Sequence, residues 1–316
     1  MNAVTAAVTA PATMAPSVDT TGQVGMTLAA IAYAANAAAI VALLANTTLA
    51  TQGRWEMAWY GTDTGNQVFV ARDTQSGQYA ICIRGSVSDP HTKAFWIDWF
   101  GQDFSVFRQV TWPYGGAPAD AKISQGSLLG LNSLLSLKDG SGQSLMAFLR
   151  ADTQRVGSTA VIGHSLGGDL ASVLAAYLHQ EFSPDQDVLD FWPVTFAGPT
   201  AGNASFANWL ASSLSASQGR YFNTLDVVPH AWSALAWIDA AFPSGPSVPL
   251  LLRVPFDALT KFIKLIRVDY TQPGDGMPIP GVIAGSEDWF QEAGAQHAGQ
   301  NYLKLLGAPA VPNGGS

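Results

Sequence analysis

The apolar run Thr159-Ala160-Val161-Ile162 passes directly into Gly163-His164-Ser165-Leu166-Gly167-Gly168, and a helical pattern begins at once behind it. A short run with no polar alternation is how a strand buried on both faces of a sheet reads. Leu170, Leu174 and Leu178 then recur at i, i+4 and i+8, which predicts a helix over 166–182. A strand that turns this sharply into a helix leaves little room for side chains at the corner. Glycine at 163 and 167 meets that demand, and Gly168 and Ala171 let the helix approach the strand closely. Ser165, at the tip, is therefore expected in a strained turn with its hydroxyl raised over the sheet edge. The helix N-terminus adds free N–H groups and partial positive charge beside it. In a chain with 31 glycines the bare Gly-x-Ser-x-Gly pattern would mean little. Between a buried strand and a Gly/Ala-faced helix it marks a nucleophile.

Short β-rich runs alternate with helical ones along the rest of the chain. Residues 67–70 and 79–83 read as strands joined by a turn around Ser76-Gly77. Residues 128–137, 144–156 and 205–214 carry helical spacing, and 191–196 and 221–223 read as later strands. Alternation of this kind predicts an α/β fold with a mostly parallel central sheet and helices on both faces. No repeat or linker divides the chain, so residues 20–316 are expected to form a single domain behind a loose, Pro-punctuated tail at 1–19.

No Lys or Arg precedes Arg54, and Asp19 is the only charge before it. Residues 26–45 are long enough to span a bilayer. Their content is mostly Ala, with Asn36 in the middle and no flanking basic or aromatic anchors. Ala favours helix but not lipid, so 20–44 is expected to be one Ala-rich helix packed on the domain rather than a membrane span. With no basic region ahead of an apolar run, no secretory signal is recognisable, and a soluble protein is expected, cytoplasmic or exported without such a signal.

Lys and Arg number 15 against 23 Asp and Glu, a net charge of −8. An acidic, Lys-poor chain lacks the cations that release counterions from a phosphate backbone, so no nucleic-acid partner is expected. The single cysteine, Cys82, excludes an internal disulfide and a Cys-rich zinc site. Without Gly-x-Gly-x-x-Gly, a phosphate loop or His-Glu-x-x-His, no cofactor and no metal is expected.

A serine nucleophile needs a base, and the base needs an orienting acid, in the chain order Ser, Asp or Glu, His. Three histidines follow Ser165. His179 falls inside the helix that starts at the serine and reads as a surface residue. His230 lies only four residues after Asp226, too close for both to be presented in line. His297 sits on the small-residue stretch Ala293-Gly294-Ala295-Gln296-His297-Ala298-Gly299, expected to be a loop before a terminal helix, and is chosen as the base. Asp226 follows the strand at 221–223 and so lies at the C-terminal sheet edge beside the serine. Asp190 precedes its strand at the other edge, and Asp185 and Asp187 sit in a polar turn.

With these residues in place the chain resembles the class 3, fungal-type lipases of the α/β-hydrolase superfamily. Four segments carry the likeness. Ile81-Cys82-Ile83-Arg84-Gly85-Ser86 resembles the family's strand ending in Arg-Gly-Ser/Thr, and Gly163-His164-Ser165-Leu166-Gly167-Gly168 its nucleophile turn. Thr195-Phe196-Ala197-Gly198-Pro199-Thr200-Ala201-Gly202-Asn203 resembles its Thr-Phe-Gly-x-Pro-Arg-x-Gly-Asn, with Ala197 and Thr200 as departures. Asn223-Thr224-Leu225-Asp226-Val227-Val228-Pro229-His230 resembles its acid-bearing Asn-x-x-Asp-x-Val-Pro and makes His230 a bystander. Two further departures stand out. Ile123-Ser124-Gln125-Gly126-Ser127 replaces a common His-x-Gly-Phe, and an apolar insertion, 231–285, separates Asp226 from His297.

The likeness implies a carboxylic ester hydrolase with Ser165, Asp226 and His297 as catalytic triad. The N–H of Leu166, at the helix start, is one expected oxyanion donor. The family places the second at Ser86, through its N–H and hydroxyl. Arg84 is expected to be structural and to need a carboxylate. The family's lid falls at 87–100, where Phe95, Trp96, Trp99 and Phe100 share one helical face; a permanently packed helix has the same pattern. The insertion (Trp232, Trp237, Phe242, residues 250–252, Phe256, Leu259, Phe262, Ile263) reads equally as acyl pocket, second flap or ordinary core. The expected substrate is a lipid acylglycerol or small ester, met at an oil–water interface. The alternatives are a short-chain or aromatic (feruloyl-type) esterase and, outside catalysis, a lipid-binding relic of the fold.

Overall fold

The computed structural model describes residues 20–96, 108–152, 158–182, 191–216, 218–250, 253 and 268–312. The tail expected at 1–19 lies outside them, as do Asp185, Asp187 and Asp190. Strands β1 (Trp55–Thr62), β2 (Gln67–Asp73) and β3 (Tyr79–Ile83) pair antiparallel. A separate two-stranded ribbon joins β4 (Gln109–Thr111) to β5 (Lys122–Ser124). Strands β6 (Thr159–His164), β7 (Phe191–Phe196), β8 (Arg220–Asn223) and β9 (Met277–Ile279) then continue from β3, all parallel. The resulting seven-stranded sheet runs β1-β2-β3-β6-β7-β8-β9. It is mostly parallel, as the α/β pattern implied.

Side-chain alternation explains why both faces are covered. Val68, Val70, Ile81 and Val161 point to one face, where helices α3 (Gln125–Ser136), α4 (Leu145–Ala151), α5 (Leu166–Phe182) and α6 (Ala204–Ser213) pack on them. Their neighbours Phe69, Ala71, Cys82 and Ile162 point the other way, against α1 (Thr20–Ile31), α2 (Ala37–Leu44) and α8 (Gly299–Leu305). Each large side chain fully buried in these layers contributes about 1.5–3 kcal/mol. A third cluster lies beyond the C-terminal edge. It gathers Phe95 and Trp96 with Val227, Trp232, Ile238 and Phe242 and with Trp289 and Phe290 of α7 (Trp289–His297).

Two expectations are corrected. The single helix foreseen over 20–44 breaks at 32–36, because the Asn36 side chain accepts the Ala39 N–H at 3.0 Å and starts α2 afresh. The stretch around His297 is no loop: Asp288 caps α7, accepting the Gln291 N–H at 3.0 Å, and His297 is the last residue of that helix. The segment 231–285 contributes β9 to the main sheet. Of its described aromatic residues, Trp232, Phe242 and Tyr270 are core in the cluster that includes Trp289 and Phe290 of α7, and Trp237 packs partly buried against them. Residues 251–252, Phe256, Leu259, Phe262 and Ile263 lie outside the described residues. Among the described residues no helix is long and apolar enough to cross a membrane.

Candidate active site

Strand β6 ends at His164, and the chain turns into α5 through Ser165, whose φ is +59°. That left-handed conformation is costly for serine, of order 1–3 kcal/mol, and persists because its surroundings over-determine it. The Ser165 N–H donates to the Phe196 carbonyl at 2.9 Å, and its own carbonyl accepts the Gly168 N–H at 2.8 Å. A Cβ on Gly163 would lie 2.0 Å from the Gly167 carbonyl oxygen, and one on Gly167 would lie 2.5 Å from that of Ile83. Steric crowding therefore demands both glycines of the motif.

The C-terminal edge of the sheet brings the partners to Ser165. The serine Oγ lies 2.8 Å from His297 Nε2, and His297 Nδ1 lies 2.9 Å from Asp226 Oδ2. All three residues are buried, Asp226 completely. Asp226 is held from two further sides. Its Oδ1 accepts the Val228 N–H at 2.9 Å, and its Oδ2 accepts the Tyr302 hydroxyl at 2.8 Å. Burial, reinforced by the Asp226 charge, pushes the Tyr302 phenol well above its ordinary range, so it stays protonated and donating. With Nδ1–H directed at a carboxylate, Nε2 is left free to accept the serine proton. A hydroxyl, imidazole and buried carboxylate in this order can deliver a serine oxygen to a carbonyl while removing its proton.

A buried amide network fixes where α7 ends. Asn223 Nδ2 donates to the Gln296 carbonyl and to Gln296 Oε1, at 2.9 and 2.7 Å. Gln296 Nε2 donates to Glu292 Oε1 and the Val282 carbonyl, both at 2.8 Å. The Glu292 carboxylate in turn accepts the N–H groups of Ala284 and Ser286, at 2.8 and 3.1 Å.

These elements meet a family model for class 3 lipases over residues 57–235. The chain belongs to the class 3 lipase family. It is thus a carboxylic ester hydrolase of the triacylglycerol lipase kind. Among solved structures it is similar to M37 lipase, at 26% identity, a TM-score of 0.76 and 92% coverage of each chain. It also shares the fold of the Rhizomucor miehei triacylglyceride lipase (22% identity, 68% of this chain and 74% of that one, TM-score 0.50). Lipase II from Rhizopus niveus is comparable, at 21% identity over 67% and 73% of the two chains with a TM-score of 0.50. No curated protein matches the chain significantly.

In this lipase the other residues singled out from sequence are placed as follows. Ser86 is half-buried and lines the crevice above Ser165, together with Tyr33, Ser88, Pro90, Phe95, His164 and His297. Leu166 opens α5 with its side chain exposed. Trp96 is fully buried, its indole N–H donating to the Pro90 carbonyl at 2.6 Å, and it packs edge-on against Trp289 and His297. Trp99 and Phe100 lie outside the described residues. His230 stays apart from the triad, stacked on Trp237 at 3.8 Å, and burial lowers its pKa. His179 is half-buried against Trp209 rather than fully at the surface. Arg84 differs from expectation: its guanidinium donates to the Gly65 carbonyl at 3.2 Å, not to a described carboxylate. The departure at Ser124 and Ser127 is structural as well. Ser124 caps α3, and the Ser127 hydroxyl donates to both oxygens of buried Asp169.

Sequence reasoning missed Tyr302, Tyr33 and the Asn223–Gln296–Glu292 network. Asn223 carried a signal, since it opens the acid-bearing motif. Neither tyrosine belongs to a motif that marks it: Tyr33 stands among alanines, and Tyr302 follows Gln300-Asn301.

Proposed function

We propose that the lipase works through an acyl-enzyme on Ser165. The serine oxygen attacks the ester carbonyl as His297 Nε2 takes its proton; His297 then returns that proton to the departing alcohol, and water repeats the cycle. Asp226 holds the imidazole tautomer and stabilises the cation formed in each half-reaction. The backbone N–H of Leu166, with the N–H and hydroxyl of Ser86, stabilises the oxyanion. The unbroken chain of contacts at 2.8 and 2.9 Å from Ser165 through His297 to Asp226 carries this proposal.

Acylglycerols are the proposed substrates. The crevice over Ser165 leaves about 10 Å³ for the centre of a water-sized molecule, at most one water position, so an ester is proposed to enter by displacing its walls. Phe95 is one of those walls, which supports a lid formed by Phe95 and Trp96 with the sequence-assigned Trp99 and Phe100. Hydrolysis of p-nitrophenyl esters of increasing chain length, beside an aromatic ester, tests the proposal. Preference for long chains is expected, and preference for the shortest or the aromatic ester would make it an esterase instead.

A further inference from the structure

His164 belongs to the nucleophile motif, yet the proposed chemistry gives it nothing to do. It is a buried, polar side chain, 3% exposed, beside the triad. Its Nε2 lies 2.9 Å from the backbone carbonyl oxygen of His297. A carbonyl only accepts, so this nitrogen carries the hydrogen. In a neutral ring Nδ1 is then an acceptor, and the Tyr33 hydroxyl, 3.2 Å away, is its donor. The same hydroxyl lies 3.4 Å from the His164 carbonyl oxygen. From the Tyr33 O–H through the His164 ring to the His297 carbonyl, each donor thus faces an acceptor.

Packing makes the series rigid. A Cβ on Gly85 would lie 2.3 Å from the Tyr33 hydroxyl oxygen and 2.5 Å from the His164 carbonyl oxygen, so the three surfaces touch directly. Gly85 precedes Ser86, the proposed oxyanion donor. Tyr33 comes from the break between α1 and α2 that the Asn36 cap produces. Burial, and then the neighbouring His297, push the His164 pKa down to about 3, which keeps the ring neutral.

We infer that Tyr33 and His164 are positioning residues, a relay that sets the oxyanion turn at Gly85-Ser86 and the backbone of the base His297 in register across the nucleophile. The inference rests on the acyl-enzyme proposal above. Neither residue touches the reacting atoms.

Tyr33→Phe in the full chain removes the hydroxyl and keeps the ring. On soluble p-nitrophenyl butyrate kcat should fall about tenfold or more while KM stays within about twofold, because register matters as charge develops. Affinity for an alkylboronic acid, which forms a tetrahedral adduct on Ser165, should fall by the same factor as kcat. The pH profile of kcat/KM should not move, since Asp226 still holds His297. His164→Leu removes both the acceptor for Tyr33 and the donor toward the His297 carbonyl. The double variant should be no worse than the poorer single one, as for two members of one unit. Nitrogen NMR of the wild-type imidazoles should show His164 with hydrogen on Nε2 only, and an altered Nδ1 signal in Tyr33→Phe. Thermal unfolding checks that each variant folds. Wild-type kcat and boronate affinity in Tyr33→Phe, strictly additive losses, or hydrogen on Nδ1 of His164 would each overturn the relay. A folded wild type that hydrolyses no ester would instead sink the acyl-enzyme proposal, and the NMR result would still decide the relay.

Discussion

The Tyr302 hydroxyl donates to Asp226 Oδ2, the same oxygen that faces His297 Nδ1, at 2.8 Å against 2.9 Å. One carboxylate oxygen therefore serves both the imidazole and a phenol from the terminal helix. The phenol oxygen also accepts the Asn223 N–H at 2.9 Å, which ties the end of β8 to α8. Tyr302→Phe should cost about 1.5–3 kcal/mol of stability, the usual scale for a hydrogen bond to a charged group. It should also lower kcat with little change in KM. Denaturant unfolding and steady-state kinetics check the pair; an unaltered stability would mean the bond contributes nothing.

Ser165→Ala and His297→Ala should each lose roughly three or more orders of magnitude in kcat with the fold intact, because nucleophile and base act as one unit. His230→Ala should stay within about tenfold of wild type, since it has no proton to carry. The reverse pattern in the two histidine variants would reassign the base.

Ser86→Ala should slow kcat by about 10²-fold at nearly constant KM if its hydroxyl donates to the oxyanion. The backbone N–H survives this substitution, so a much smaller loss would assign the work to that N–H alone. A change confined to KM would remove Ser86 from the oxyanion site.

His164 titrates near 6.5 in an unfolded chain and near 3 in the folded one. Between these values the unfolded chain binds a proton that the folded chain refuses. The stability held by the neutral ring is therefore complete above pH 6.5 and is lost as pH falls toward 3, by at most about 1.4 kcal/mol per pH unit. Unfolding measured from pH 7 to pH 4 should show a shallower decline in His164→Gln than in wild type. Equal slopes would contradict the assignment.

Phe95 and Trp96 are buried beside His297, and on the proposed lid an oil surface would take over that burial on opening. The rate on a long-chain ester should rise steeply once substrate passes its solubility limit. Replacing Trp96 and Trp99 by Ser should flatten the rise. Smooth saturation, unchanged in the double variant, would make this segment permanent core.

The sharp turn at Ser165 was legible in the sequence because its demands are local. A strand, a helix and the steric limits at Gly163 and Gly167 are all set by residues within a few positions of Ser165. The alternating faces of 67–71 and 79–83 were legible for the same reason: side-chain direction follows from the backbone period alone. Asp226 and His297 were within reach only because chain order and strand ends limit where an acid and a base can stand. Whether His297 closed a loop or a helix was decided by the Asp288 cap and by the Asn223–Gln296–Glu292 network. Tyr302 and Tyr33 were invisible, since in sequence each is one aromatic outside any motif. Their hydroxyls acquire meaning only where the fold sets them against Asp226 and His164, 76 and 131 residues away along the chain. Hydrogen bonds over such separations depend on three-dimensional register, which no local pattern of residues encodes.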